Sequence, residues 1–182
     1  MVSVCIWIVT LIFLGYLGCT FACYDSMPTP KCQDLDSKAK FPFSTDSFFS
    51  RDWYVTHSKN QAGTIECSKF ETSKTGKINL KYQSGGQNVK CTGDSNSLKK
   101  YICFDCEGSK NNKFNKFFLV LETDSYYADY ALVYVCNQSG TTTNDNFLVL
   151  QRHKSKDLPS GINSILSKVQ LKPNDLKSNN CK

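Results

Sequence analysis

Eight short runs of β-forming residues follow one another along the chain at nearly regular spacing. Turn signals such as Lys74-Thr75-Gly76 and Ser84-Gly85-Gly86 separate them, and no segment with helical periodicity lies between them. Connections this short predict an antiparallel sheet in which each strand pairs with the next one along the chain. The runs are 53–57, 65–70, 78–82, 87–91, 100–106, 117–122, 130–136 and 147–152.

Eight strands joined in this order favour an all-β, up-and-down barrel. Closure removes the exposed edges of the sheet and leaves an interior wide enough for one small ligand. A β-sandwich is the alternative fold, and the sequential hairpins favour the barrel over it.

One amphipathic helix is predicted after the last strand, over residues 158–169. Ile162, Ile165, Leu166 and Val169 recur at the spacing of one helical face, and Pro159 suits the first turn. We expect this helix to lie against the barrel wall. The tail that follows is polar but ends in Cys181, which a disulfide could fasten to the barrel.

The first 22 residues carry no charged side chain and end in a small residue, Ala22. This pattern predicts a secretory signal peptide at 1–22 and a single domain at 23–182. A membrane span is the alternative interpretation of the same stretch, and the small residues Gly15 and Gly18 favour cleavage. We therefore expect a secreted, extracellular protein that has no membrane association once the peptide is removed.

Eight cysteines follow residue 22, which in an oxidising compartment implies up to four disulfides. The spacing Cys103-x-x-Cys106 has no second pair and no clustered histidines beside it, so no metal site is predicted. Because residues 101–104 have the composition of a strand, the same spacing does not predict a thioredoxin-like redox motif.

The formal net charge is +6, but the lysines are scattered and Lys99-Lys100 is the only adjacent pair. This distribution does not predict nucleic-acid binding. With only His57 and His153 and no G-x-S-x-G motif, no catalytic triad can be assembled. We expect no enzymatic activity.

Three motifs together resemble those of the lipocalins. Trp53-Tyr54-Val55-Thr56-His57 is similar to the first-strand motif, although Arg51 stands where the family usually has glycine. Residues 124–131, with the sequence DSYYADYA, are similar to the turn between the sixth and seventh strands. Arg152 sits where the family places an arginine across the first-strand tryptophan.

Within the lipocalins, the chain resembles the salivary proteins of blood-feeding triatomine bugs, the triabin, pallidipin and nitrophorin group. The similar segments are KAK at 38–40, WYVTH at 53–57, CSKF at 67–70, YALVYVC at 130–136 and LVLQRHK at 148–154. The resemblance implies an eight-stranded antiparallel up-and-down lipocalin barrel with one C-terminal α-helix. It also implies secretion in saliva and interference with host haemostasis.

The resemblance assigns structural roles as well. Trp53 and Arg152 would close one end of the barrel by stacking. Family spacing implies disulfides between Cys32 and Cys136 and between Cys67 and Cys181.

The other four cysteines of the domain leave alternatives open. A turn near Asn96 makes Cys91 a neighbour of the strand that holds Cys103 and Cys106, so we expect Cys91 to bond one of them, with Cys106 favoured. Cys23 and Cys103 would then form a fourth pair.

No cofactor is expected. The haem-carrying members of the group use an inward histidine on the third strand, whereas the run 78–82 offers Tyr82 and no histidine. Nitric-oxide chemistry of that kind is therefore not predicted.

Strand alternation predicts which residues face a ligand. Val55 and His57 should share the inner face with Trp53, although a hydrogen-bonded wall position is the other interpretation of His57. An apolar cavity would be lined by Val55, Leu80, Val133 and Leu150, with Tyr82 as a hydrogen-bond donor and His57 or Lys69 meeting a carboxylate. If Glu66 points inward, its carboxylate would bind an ammonium group and repel a fatty acid. If the register of this strand is shifted by one residue, Glu66 is a surface residue.

The predicted function is sequestration of a small host mediator by a monomer. We expect an eicosanoid such as thromboxane A2 or a cysteinyl leukotriene, whose removal would inhibit platelet aggregation. The alternatives are binding of a biogenic amine such as serotonin or histamine, and surface-acting inhibition of a clotting protease.

Asn137-Gln138-Ser139 is a sequon for N-glycosylation at a strand end.

Overall fold

The structure is a computed structural model that describes residues 32–60, 67–94, 100–109 and 112–181. The predicted signal peptide at 1–22, Cys23 and Glu66 lie outside the described residues. In the part of the chain that is described, no helix has both the length and the apolar character needed to cross a bilayer.

Eight antiparallel strands form a closed barrel, and this confirms the predicted fold class. Each strand pairs with the next, and β1 pairs with both β2 and β8 to complete the circle. The β-sandwich alternative is therefore wrong. The strands are β1 (Trp53–Ser58), β2 (Lys69–Thr75), β3 (Lys77–Ser84), β4 (Gln87–Asp94), β5 (Tyr101–Glu107), β6 (Lys113–Thr123), β7 (Tyr130–Ser139) and β8 (Thr142–Gln151).

A short ninth strand, β9 (Lys177–Ser178), was not predicted and pairs with β1. The disulfide between Cys67 and Cys181 fastens the tail just beyond it. Two residues are too few to show the alternation of a strand, so this strand could not be predicted from the sequence. Its pairing depends on where the tail lies against the barrel.

The predicted C-terminal helix is present but shorter than expected. One α-helical turn, α2 (Asn163–Leu166), is flanked by 3₁₀ turns at Ser160–Ile162 and Ser167–Val169. A Cβ atom on Gly161 would lie 2.1 Å from the hydroxyl oxygen of Tyr130, so the chain packs very closely here. Another short helix, α1 (Thr45–Phe48), precedes β1, with the Ser44 side chain capping its first turn.

The barrel wall separates two apolar clusters. Along β7, Ala131, Val133 and Val135 face the interior, whereas Leu132 and Tyr134 pack beneath the C-terminal segment. This double burial explains why β7 is a continuous apolar run, without the polar alternation of a half-exposed strand. The four apolar residues of the predicted helix face all belong to the outer cluster: Ile162, Ile165, Leu166 and Val169.

Candidate ligand-binding cavity

One end of the barrel is closed by Trp53, which is fully buried. Its indole N–H donates a hydrogen bond of 3.0 Å to the carbonyl oxygen of Phe48. The guanidinium carbon of Arg152 lies 3.4 Å from the centroid of the Trp53 ring system. The N–H groups of Arg152 also donate to the carbonyl oxygens of Phe48, Arg51, Asp52 and Tyr127.

Aromatic side chains fill the barrel above this closed end. Phe48, Phe49, Phe104 and Phe118 are buried there, with ring centroids 4.8 Å apart for Phe48 and Phe49 and 6.1 Å apart for Phe104 and Phe118. This half of the barrel is therefore packed core.

A cavity of about 1250 Å³ begins in the other half of the barrel and extends out to solvent along the edges of β2, β3 and β4. It extends from Val55, Val135 and Leu148 to the β3–β4 turn at Gly85 and Gly86. The volume accommodates a ligand of drug size or larger.

Lys116 is the charged residue that points into the barrel. The other charged residues that border the cavity are exposed, and on β2, β3 and β4 they alternate with the inward Phe70, Tyr82 and Val89. Among the described residues, the charge inside the barrel is therefore that of one lysine, which favours an anionic ligand over a cationic one. The exposed residues are Lys69, Glu71, Lys81, Lys90 and Lys154.

Lys116 is the lysine inside the barrel. It lies on β6 between Phe104 and Asn137 on the neighbouring strands, and only 3% of its surface is exposed. Its Nζ atom lies 5.1 Å from the ring centroid of Tyr82 on β3. No carboxylate of the described residues forms an ion pair with it. Burial lowers the pKa of Lys116 to about 8.

A buried cation without a counter-ion is costly unless something else compensates its charge. The face of the Tyr82 ring supplies part of this compensation. An anionic group of a ligand in the cavity would supply the rest.

Tyr82 lines the cavity, where the sequence placed it. Its ring centroid lies 5.1 Å from that of Phe70. Burial raises the pKa of the Tyr82 hydroxyl, so the group remains protonated at physiological pH and can donate a hydrogen bond.

Asn137, the acceptor residue of the predicted glycosylation sequon, also lines the cavity. It follows Val133 and Val135 at alternate positions of β7, and its Oδ1 atom is buried without a hydrogen-bond partner. The amide of the sequon thus lies inside the barrel.

His57 does not face the cavity, and its predicted position is wrong. A β-bulge at Thr56 shifts the register, so that Val55 lies opposite Leu150 but His57 lies opposite the outward Val149. The bulge reverses the alternation that placed His57 inside.

The His57 ring is buried on the outer side of the barrel. Its Nε2 atom is 3.1 Å from the carbonyl oxygen of Lys156, and its Nδ1 atom is 3.1 Å from Oγ1 of Thr56. Burial lowers the pKa of His57. The ring is hydrogen-bonded in the barrel wall, as the other interpretation expected, but on the outer face and not the inner one.

Three predicted apolar contacts face inward but do not line the cavity. Leu80, Val133 and Leu150 are fully buried in the inner cluster and are absent from the cavity lining. The prediction that these three residues contact the ligand is wrong, because the aromatic residues above Trp53 fill the space beside them. Val55, by contrast, does line the cavity.

Lys69 lies on the outer face of β2, one position before the inward Phe70, and it is already paired. Its Nζ atom is 2.7 Å from Oδ2 of Asp52 and 3.9 Å from Oε1 of Glu71. It is therefore a poorer partner for a ligand carboxylate than the buried Lys116.

The two disulfides implied by the resemblance are present, between Cys32 and Cys136 and between Cys67 and Cys181. Cys91 bonds Cys106, the favoured alternative, across directly paired positions of β4 and β5.

Cys103 also takes part in a disulfide. Its predicted partner, Cys23, lies outside the described residues. In the described part of the chain, no group of three or more metal-binding side chains comes together.

Lys116 and Asn137 line the cavity but were not predicted as cavity residues from the sequence. A signal for both was present: Lys116 precedes the inward Phe118 by two positions, and Asn137 follows Val135 by two. Alternation would have placed both side chains inside.

A closed eight-stranded barrel with a filled end and an open cavity defines a lipocalin-type ligand carrier. The Triabin family model matches residues 22–165. The chain belongs to the Triabin family of triatomine salivary lipocalins.

Two curated relatives are similar over most of their length. Triafestin-1 of Triatoma infestans is 29% identical over 94% of this chain and 89% of its own. Pallidipin of Meccus pallidipennis is 29% identical over 70% of this chain and 74% of its own.

A solved structure has the same fold. The crystal structure of LTBP1 in complex with leukotriene C4 is 33% identical, covers 86% of this chain and 98% of LTBP1, and gives a TM-score of 0.75.

Proposed function

We propose that this protein sequesters an eicosanoid, a thromboxane or a cysteinyl leukotriene, inside its barrel. Removing such a mediator at the bite would suppress platelet aggregation and the host haemostatic response. The protein would act stoichiometrically as a secreted salivary carrier. The observation that carries the proposal is Lys116, a buried amine in a ligand-sized cavity with no carboxylate partner among the described residues.

The Lys116 ammonium would bind the lipid carboxylate inside the barrel. The apolar lining would hold the alkyl chain, at about 0.8 kcal/mol for each CH₂ group removed from water. The residues available for this are Val55, Phe70, Val89, Val135 and Leu148. Leukotriene C4 in the LTBP1 complex supports this class of ligand.

A biogenic amine is the competing ligand class. An ammonium group would meet Lys116, and among the described lining residues no carboxylate points into the barrel to attract it. The charge of the cavity therefore favours the eicosanoid.

Isothermal titration calorimetry of the secreted protein tests the proposal. We expect one-to-one binding of leukotriene C4 or a stable thromboxane analogue, and little heat with serotonin or histamine. Lys116→Met should weaken eicosanoid binding by roughly 30-fold or more, as for removal of one partner of a buried charge pair. Lys168→Met is the matched control, because Lys168 is exposed on the outer C-terminal segment.

Two results would contradict the proposal. Tight serotonin binding with no response to either eicosanoid would establish the amine alternative. Full inhibition of clotting by the Lys116→Met protein, in the absence of any eicosanoid binding, would establish a surface-acting inhibitor.

A further inference from the structure

Lys116 has the surroundings of a reactive amine. Its Nζ atom makes no ion pair or hydrogen bond with a described residue. The side-chain polar atoms of the described residues that are both fully buried and unpartnered belong to Asp36, Ser109 and Asn137, and Nζ of Lys116 is not among them. The unpartnered amine therefore keeps a surface that is open to the cavity, which Lys116 lines.

A lysine amine is a nucleophile in its neutral form, which has a free electron pair on nitrogen. An ordinary exposed lysine is almost entirely protonated at physiological pH. Lys116 is buried and has no carboxylate partner among the described residues, and this burial lowers its pKa to about 8. At neutral pH the barrel thus holds a much larger fraction of free amine at this position than at an exposed lysine.

The lining of the cavity selects which electrophiles can reach this amine. Phe70, Val89 and Val135 belong to the inner apolar cluster and line the same cavity. An uncharged molecule with an alkyl chain can bury that chain here without the cost of burying a charge. The class of electrophile that suits both the amine and the lining is an aliphatic aldehyde derived from a lipid.

We propose that Lys116 captures lipid aldehydes as a Schiff base inside the barrel. The electron pair of Nζ attacks the carbonyl carbon, a C–N bond forms, and a proton passes from nitrogen to the carbonyl oxygen to give a carbinolamine. The carbinolamine then loses its hydroxyl group and the remaining N–H proton as one water molecule, which leaves a C=N bond. The reaction consumes no oxidant or reductant, and hydrolysis reverses it. This capture goes beyond the proposed function, because it uses the free amine and not the ammonium group.

Reductive trapping with decanal tests the proposal. The secreted protein is incubated at neutral pH with decanal and sodium cyanoborohydride, which reduces a Schiff base to a stable secondary amine, and mass spectrometry of its peptides locates the decyl groups. We expect Lys116 to be modified roughly tenfold or more faster than the exposed Lys168. A rate at Lys116 equal to or below that of Lys168 would overturn the proposal.

Intact-protein mass spectrometry supplies the matched variants. The wild type should gain one decyl group in a fast phase, Lys168→Met should keep this phase, and Lys116→Met should lack it. A fast phase that survives in Lys116→Met would place the reactive amine elsewhere and overturn the proposal.

Competition with leukotriene C4 separates this proposal from the proposed function. Saturating the wild-type protein with leukotriene C4 should slow trapping at Lys116 roughly tenfold or more, because both ligands need the same amine. Fast trapping that leukotriene C4 leaves unchanged would support the capture and contradict the proposed eicosanoid site. Lys116-dependent binding of leukotriene C4 without fast trapping by decanal would overturn the capture and leave the proposed function intact.

Discussion

The guanidinium of Arg152 stacks on the indole of Trp53, with its central carbon 3.4 Å from the ring centroid. Arg152 is the residue directly after β8, and Trp53 is the first residue of β1. The stacking therefore joins these two strands at the closed end of the barrel. The same guanidinium donates hydrogen bonds to carbonyl groups of the segment that leads into β1 and of the β6–β7 turn. Arg152 thus links three separate parts of the chain around Trp53.

Replacing Arg152 tests this link. Arg152→Ala should lower the free energy of unfolding by about 2–4 kcal/mol, because it removes the stacking and leaves several carbonyl groups without donors. Arg51→Ala, which removes an exposed arginine from the same end of the barrel, should change it by about 0.5 kcal/mol or less. Urea unfolding measures both, and equal losses in the two variants would contradict this role of Arg152.

The disulfides should differ in their contribution to stability. Cys67 and Cys181 are separated by 114 residues, whereas Cys91 and Cys106 are separated by 15. In the chain-entropy model the longer loop contributes roughly 1–2 kcal/mol more, because it restricts the unfolded chain more strongly. Replacing each pair by serines and measuring urea unfolding tests this, and a larger loss for the Cys91–Cys106 pair would contradict it.

The buried Lys116 should make stability depend on pH. Burial lowers its pKa to about 8 in the folded protein, against about 10.4 in the unfolded chain. The unfolded state therefore holds more protons between these values, and the stability of the folded state rises with pH in this window. The penalty, roughly 3 kcal/mol, is fully present below pH 8 and disappears as pH approaches 10.4.

Lys116→Met removes this penalty. The variant should be more stable than the wild type at pH 7, and its advantage should shrink between about pH 8 and pH 10. Lys168→Met, at an exposed position, should show no such trend. Urea unfolding across this pH range measures the difference, and an advantage that does not change with pH would argue against a buried charge at Lys116.

Glycosylation of Asn137 and ligand binding in the cavity should exclude each other. A glycan on the Asn137 amide nitrogen would occupy the space that a ligand needs, because the side chain lines the cavity. We predict that protein captured on immobilised arachidonic acid carries an unmodified Asn137. Mass spectrometry of tryptic peptides from the bound and unbound fractions measures this, and a glycan on Asn137 in the bound fraction would contradict the prediction.

The strands, their order and the closed end follow from patterns that are local in the sequence. Short apolar runs and glycine turns define β1 to β8, and the motifs around Trp53 and Arg152 identify the family. The cysteine spacing of that family implied two of the disulfides, Cys32–Cys136 and Cys67–Cys181, that the structure contains.

The cavity was harder to predict because two of its determinants are not local. One extra residue at Thr56 reverses the direction of His57, and nothing in the residues 53–57 marks a bulge. Strand alternation shows whether a side chain points into the barrel, but not how far along the barrel axis it lies. Leu80 and Leu150 were therefore predicted to line a cavity that ends before it reaches them. Alternation with Phe118 places Lys116 on the inner face, but only the closed barrel shows that its amine is buried.

The central claim is that the Lys116 ammonium binds the carboxylate of the lipid. Its titration can be followed by NMR through the side-chain Cε resonance in protein labelled with ¹³C-lysine, with the resonance identified by its absence from Lys116→Met. We predict a pKa of about 8 in the free protein and a rise of about one unit or more when leukotriene C4 saturates the cavity, because a bound anion stabilises the protonated amine. An unchanged or lowered pKa in the saturated protein would contradict the account.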